Sequence, residues 1–145
     1  GPAVIDALAG RDLEPWVRLV DAHTNLRDHL LDWLLLPALR PGLVIVVDAV
    51  HEPGRPAGDL RLRAPTALPA AKRADFSLHQ FPEVNLLAEL AGEAGVSVLL
   101  LTVQTADAVP RLGCGLAPAV AAAVAPACDR VLAATRSVHA AEAAP

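Results

Sequence analysis

Leu43-Val44-Ile45-Val46-Val47-Asp48 is the stretch that decides the fold: five consecutive apolar residues followed by a carboxylate. A continuous apolar run rich in β-branched residues is typical of a parallel strand that is covered on both faces. Residues 96–103 have the same character and predict a second buried strand. Residues 60–63 alternate leucine and arginine, which predicts a half-exposed strand near a sheet edge.

Apolar spacing places helices between these strands. The predicted helices cover residues 2–9, 26–34, 78–91 and 118–135, and a further short strand is predicted over 16–20. This alternation predicts an α/β fold in three layers: a twisted, mostly parallel sheet with helices on both faces and one antiparallel edge strand. Because no internal repeat or linker is present, a single domain is predicted over residues 1–137, with a frayed tail over 138–145.

The composition restricts the class of function. The chain has 145 residues, of which 54% are hydrophobic and 19% charged, so it can bury a core. A formal net charge of −4 and only 3% aromatic residues argue against nucleic-acid binding, which needs a basic face and stacking aromatics. The apolar runs are shorter than the ~20 residues of a membrane span. With no signal peptide and only two cysteines, a soluble cytoplasmic domain is predicted.

Asp48 is the strongest candidate functional residue. It follows the most apolar strand, and α/β sheets bind ligands in the crevice at the carboxyl ends of their strands. A carboxylate there needs a cation, a metal or hydrogen-bond donors, unless it caps the following loop through local backbone bonds. His79, at the start of a predicted helix, is either a neutral metal ligand or a solvent-facing side chain. Asp48 and His79 form a donor pair suited to zinc, nickel or a similar ion, although two ligands make an incomplete site.

Other candidates are weaker. His51 lies in a Pro/Gly-rich loop, and Cys114 lies between two glycines with no activating base nearby in the sequence. Asp21-Ala22-His23-Thr24 either lines the same crevice or turns the chain. The sequence has no G-x-S-x-G, G-x-G-x-x-G or P-loop motif, so an α/β-hydrolase, a dinucleotide-binding domain and an NTPase are unsupported.

Four motifs follow one another along the chain in a specific order. They are a strand ending in Asp48-Ala49, a loop ending in Pro56–Leu60, Ser77-Leu78-His79-Gln80, and a second strand with its following loop and helix over residues 96–120. Each motif is short, but their order and spacing extend over nearly the whole chain. In this respect the sequence resembles the maturation endopeptidases of nickel-iron hydrogenases.

The resemblance implies a phosphorylase/hydrolase-like fold and a cytoplasmic endopeptidase. Its implied reaction is removal of a C-terminal peptide from the precursor of the hydrogenase large subunit, which carries nickel. In that family a strand-end aspartate and the histidine of Ser-x-His-Gln contact the metal. These positions match Asp48 and His79, which become the implied catalytic and metal-contacting residues. Another divalent ion such as zinc or cadmium can take the place of nickel in a crystal.

Two further expectations come from the same resemblance. Asp21, His23 and Thr24 fall where the family has Asp-Gly-Gly-Thr, so they are candidate residues of the substrate cleft. The family's third, acidic ligand and its first strand are expected upstream of Gly1. That strand is expected to be central in the sheet, so the 145-residue chain alone is expected to be poorly stable or to fill the gap with another segment.

Two other functions stay open from the sequence. One is a non-catalytic relative that binds a partner without cleaving it. Absence of the upstream acidic residue would favour this function. The other is a different metal-dependent hydrolase that uses Asp48, His51 and His79. Replacement of His51 by alanine separates this trio from the endopeptidase, because only the trio loses metal binding.

Overall fold

The computed structural model describes residues 1–23, 25–65, 83–105 and 115–142. The strands are β1 (Leu43–Val50), β2 (Leu60–Arg63) and β3 (Ser97–Gln104). The α-helices are α1 (Pro2–Ala9), α2 (Leu26–Leu35), α3 (Glu83–Gly92), α4 (Pro118–Ala122) and α5 (Val124–Glu142), and a 3-10 helix covers Pro37–Leu39.

The two long strands form a parallel pair, and the strand order is β1-β3-β2. At one end of the pair the Ser97 N–H donates to the Gly42 carbonyl at 2.9 Å, and at the other the Thr105 N–H donates to the Val50 carbonyl at 2.8 Å. Both strands therefore keep the same direction and register along their length.

The short strand β2 runs antiparallel to β3. The Gly58 N–H donates to the Gln104 carbonyl at 2.8 Å, and the Gln104 N–H donates to the Asp59 carbonyl at 2.9 Å. Two successive residues thus bond to the single residue Gln104 opposite them, which is the pattern of a bulge in an antiparallel pair. The mixed sheet with its helices confirms the predicted α/β fold with one antiparallel edge strand, and the three described strands pair without a gap.

The strand β3 is covered on both faces. Successive side chains of a strand point to opposite faces, and Val98, Leu100, Leu101 and Val103 are all buried. This burial is what the continuous apolar pattern of residues 96–103 predicts.

The described chain divides into two compact units, of which the first contains Gly1–Asp21, Val47–Leu62 and Leu101–Pro145. Within it α1 packs against α5. The buried Cys128 thiol on α5 donates to the Val4 carbonyl at 3.7 Å.

The second unit contains Ala22–Val46 and Arg63–Leu100. Here α2 packs against α3 around a core that includes Leu30 and Leu90, both 0% exposed. The Arg40 guanidinium donates to the carbonyls of Trp33 and Leu34, each at 2.7 Å, and so satisfies groups that the end of α2 leaves without helical partners.

Two predicted strand boundaries need correction. The strand predicted over 16–20 is not formed: Pro15 and Trp16 lie in a turn that the Val17 N–H closes by donating to the Glu14 carbonyl. Trp16 is 45% exposed, so this apolar run does not enter a core. Asp48 does not end β1, because the strand continues to Val50, where Thr105 still pairs with it.

The helix predicted over 118–135 is two helices. Pro126 has no N–H to donate to the Ala122 carbonyl, so the first helix stops and a new one begins with this proline in its first turn. The second helix continues to Glu142, through residues 138–142 that the sequence analysis assigned to a frayed tail. Its last part is held by His139, whose ring stacks on Trp16 with 4.3 Å between ring centroids.

The helix α5 is the longest described helix, with 19 residues, and it carries Asp129, Arg130 and Arg136. Within the described ranges, no helix combines the length and the apolar character that crossing a membrane requires.

Candidate functional site

Asp48 lies near the carboxyl end of β1, where the sequence analysis places the site. Its Oδ1 accepts a hydrogen bond from the Ala49 N–H at 2.8 Å. Among the described residues no group donates a hydrogen bond to its Oδ2. One carboxylate oxygen is therefore held by the backbone, and the other is available to a ligand.

The carboxyl of Asp48 is partly desolvated although the residue as a whole is exposed. Desolvation raises the pKa of Asp48 above its ordinary value, while the Ala49 hydrogen bond acts in the opposite direction. The carboxylates of Asp48 and Asp21 both lie within electrostatic range of the Gly1 nitrogen. Asp21 and Asp48 therefore lie in the same neighbourhood, near Gly1.

The remaining predicted site residues are not brought together by the described structure. His79, Thr24 and Cys114 lie outside the described residues, so the convergence of Asp48 and His79 stays a prediction. His51 is exposed and directly follows β1. The described part of the chain holds no group of three His, Cys, Asp or Glu side chains able to bind a metal by itself.

His23, in the second unit, has a left-handed backbone with φ of 45°. Non-glycine residues rarely adopt this conformation. It occurs in the segment that resembles Asp-Gly-Gly-Thr, at a position where that motif has glycine.

Sequence reasoning missed an ionic network in the loop that follows β1. Arg55 Nη1 donates to Glu52 Oε2 at 2.7 Å, and its Nη2 and Nε donate to Asp59 Oδ2 at 2.7 and 2.9 Å. The Arg55 side chain is only 7% exposed. Burial alone would lower the pKa of Arg55, but its bonds to Asp59 and Glu52 outweigh burial and raise it. The opposite charges three and four residues apart are a signal, but in a Pro/Gly-rich loop they do not suggest a specific geometry.

Sequence reasoning also missed Gln104 at the end of β3, which is 0% exposed. Its Oε1 accepts from the Glu52 N–H at 3.0 Å, and its Nε2 donates to the carbonyls of Glu52 and Thr105, both at 3.1 Å. The sequence signal for such a residue is a polar side chain at the end of an apolar strand. A buried amide there needs hydrogen-bond partners from the neighbouring backbone.

The carboxylates near the end of β1 are donors of a type that divalent metals accept. Asp48 offers an oxygen with no hydrogen bond from the described residues, and Asp21 adds a second carboxylate nearby. An imidazole beside such carboxylates would favour nickel or zinc. Among the described residues, these two carboxylates alone do not make a complete metal site.

A carboxylate near the carboxyl end of a parallel strand is the arrangement in which α/β proteins bind ligands. Within that class, the chain belongs to the hydrogenase maturation protease family, whose sequence model matches residues 2–134. The resemblance drawn from the motif order is thereby confirmed.

Two solved structures are similar to this chain. One is the hydrogenase maturating endopeptidase HybD from E. coli, with 25% identity and a TM-score of 0.61 over 92% of this chain and 80% of that chain. The other is a hydrogenase 2 maturation peptidase from a Thaumarchaeota archaeon, with 26% identity and a TM-score of 0.56 over 93% of this chain and 86% of that chain. Comparison with curated protein sequences gives no match.

Proposed function

We propose that this chain is an endopeptidase that removes a C-terminal peptide from a nickel-loaded precursor of a hydrogenase large subunit. Membership of the hydrogenase maturation protease family supports the class of reaction. The observation that carries the proposal is Asp48, which keeps one carboxylate oxygen open near the end of β1.

In this proposal the residues of the chain orient the precursor. Asp48 and His79 contact nickel that the precursor carries, so the metal belongs to the substrate. A bound metal polarises a carbonyl and orients water. Asp21, in the same neighbourhood as Asp48, accepts the proton of the attacking water and passes it to the leaving peptide nitrogen.

The test compares two aspartate-to-asparagine variants in cells that make the nickel-loaded precursor. Asp48→Asn should slow processing by about 100-fold or more, the scale of removing one charge-stabilising group from an active site. The matched control is Asp6→Asn on α1, which removes another exposed carboxylate and should process normally. The measurement is the mass of the large subunit over time after induction.

Other outcomes of this assay identify the alternative functions. Processing by Asp48→Asn at the wild-type rate would contradict the proposal. Binding of the precursor by the wild-type chain without shortening it favours a binding module. His51→Ala should leave processing unchanged, and a loss of processing together with metal binding favours a hydrolase that uses Asp48, His51 and His79.

A further inference from the structure

We propose that Gln104 is a positioning residue for Asp48. Its buried carboxamide fixes the backbone that follows Asp48 and thereby sets the direction of the Asp48 carboxylate. The inference rests on the proposed role of Asp48, but it concerns a residue of another strand that makes no contact with the reacting groups.

The Gln104 carboxamide replaces a peptide group of a neighbouring strand. Its oxygen accepts from the Glu52 N–H and its nitrogen donates to the Glu52 carbonyl, at 3.0 and 3.1 Å. Beside it, both the N–H and the hydroxyl of Thr105 donate to the Val50 carbonyl, at 2.8 and 3.2 Å. The pairing between the β1 chain and the β3 chain therefore continues to Glu52, beyond the last residue of β1.

Gln104 also holds the far end of the same loop through its main chain. The Gly58 N–H donates to the Gln104 carbonyl, and the Gln104 N–H donates to the Asp59 carbonyl. The Arg55 ion pairs with Glu52 and Asp59 close the loop between these two points. One buried residue thus fixes both ends of the segment 52–59.

Ala49 connects the backbone that Gln104 fixes to the carboxylate of Asp48. Asp48 Oδ1 accepts from the Ala49 N–H, so the direction of that N–H sets the rotation of the carboxylate and the direction of its open oxygen. The peptide groups of residues 50 and 52 are held by Thr105 and Gln104, on the same stretch of chain. Loss of the Gln104 carboxamide frees the Glu52 end of this stretch, and the orientation of Asp48 changes with it.

The test compares Gln104→Met with Thr102→Val. Methionine has nearly the volume of glutamine, so the variant keeps the packing and the main-chain bonds of β3 but leaves both polar groups of Glu52 without the carboxamide. Thr102, two residues earlier on β3, is also buried, and its hydroxyl donates to the Arg61 carbonyl at 3.4 Å. Thr102→Val therefore removes a buried hydrogen bond from the same strand without touching the segment after Asp48.

Two readouts report the orientation of Asp48 without an activity assay. The first is the amide proton of Ala49 by NMR: Gln104→Met should shift its resonance and speed its exchange by about tenfold or more, as the loss of a buried hydrogen bond implies. The second is calorimetric binding of Ni²⁺ alone, which should weaken by ~10–100-fold, the usual effect of losing a group that orients a metal ligand. Thr102→Val should change neither readout.

The outcomes separate this inference from the proposed function. An unchanged Ala49 amide in Gln104→Met, or an equal loss of Ni²⁺ affinity in Thr102→Val, overturns the positioning role. Unchanged Ni²⁺ affinity in Asp48→Asn overturns the metal contact of Asp48, while the Ala49 amide still decides the role of Gln104. If Gln104→Met does not fold, Gln104→Asn shortens the side chain, keeps its polarity, and should shift the Ala49 amide in the same way.

Discussion

The left-handed backbone of His23 shows how a single residue can keep a turn that its side chain disfavours. Its φ of 45° places it in a region that glycine adopts without steric cost. The segment Asp21-Ala22-His23-Thr24 resembles a motif with glycine at this position, the residue type that suits this backbone conformation.

The cost of this conformation can be measured with His23→Gly and His23→Ala. Both variants lose the imidazole and its interactions, so only the backbone term differs between them. The glycine variant should be more stable by roughly 1 kcal/mol, because alanine keeps the steric cost of a left-handed residue. Urea unfolding measures the difference, and equal stability of the two variants would mean that the turn relaxes to negative φ.

At the scale of one element, the loop from β1 to β2 depends on the close approach of Gly58 to α4. A Cβ at Gly58, whose φ is 84°, would lie 2.6 Å from the Ala119 carbonyl oxygen. Gly54 in the same loop has a φ of 78°, but a Cβ there would meet nothing within 4 Å. Gly54 is therefore required only for its backbone conformation. Gly58 is required both for its conformation and because a side chain would collide with α4.

Gly58→Ala and Gly54→Ala separate these two requirements. Gly54→Ala should cost about 1 kcal/mol from the left-handed backbone alone. Gly58→Ala should cost a further ~1–3 kcal/mol, because the contact is with a backbone atom and the chain must move. Chemical denaturation gives both values, and similar losses at the two positions would contradict the close packing of the loop on α4.

At the scale of the whole molecule, two carboxylates of the first unit shift the dependence of stability on pH in opposite directions. Desolvation raises the pKa of Asp48, so the folded state holds this proton more tightly than the unfolded chain does. The stability contribution of Asp48 consequently falls as the pH rises above the ordinary carboxyl value of 3.8. The hydrogen bond from Arg55 lowers the pKa of Asp59, so its contribution is present above 3.8 and is lost as the pH falls through the lowered value.

The same substitution at both positions should therefore act with opposite sign at neutral pH. Asp48→Asn should raise the melting temperature, and Asp59→Asn should lower it. The difference for Asp48→Asn should shrink as the pH falls toward 3.8, the ordinary carboxyl value, and the difference for Asp59→Asn should shrink as the pH falls below that value. Thermal melts from pH 7 to pH 3 measure the effect, and a lower melting temperature for Asp48→Asn at pH 7 would contradict the desolvation of this carboxyl.

The sequence by itself determined the elements whose burial is periodic or continuous along the chain. The apolar runs over residues 43–47 and 96–103 predicted β1 and β3, and the alternation at Leu60–Arg63 predicted the edge strand. The order of short motifs was sufficient for the family, since the match covers residues 2–134. These signals are local, because each depends on side chains only a few residues apart.

Only the tertiary structure decided what depends on distant partners. The run at residues 16–20 is as apolar as a short strand, but Trp16 meets His139 on α5 rather than a neighbouring strand. The Gln104 side chain bonds to the backbone of Glu52, which is 52 residues away in the sequence. No periodicity records such a contact, because a buried amide is satisfied by whatever backbone the fold brings to it. The positioning role proposed for Gln104 therefore depends on the tertiary structure, while the place of Asp48 near the end of an apolar strand is already set by the sequence.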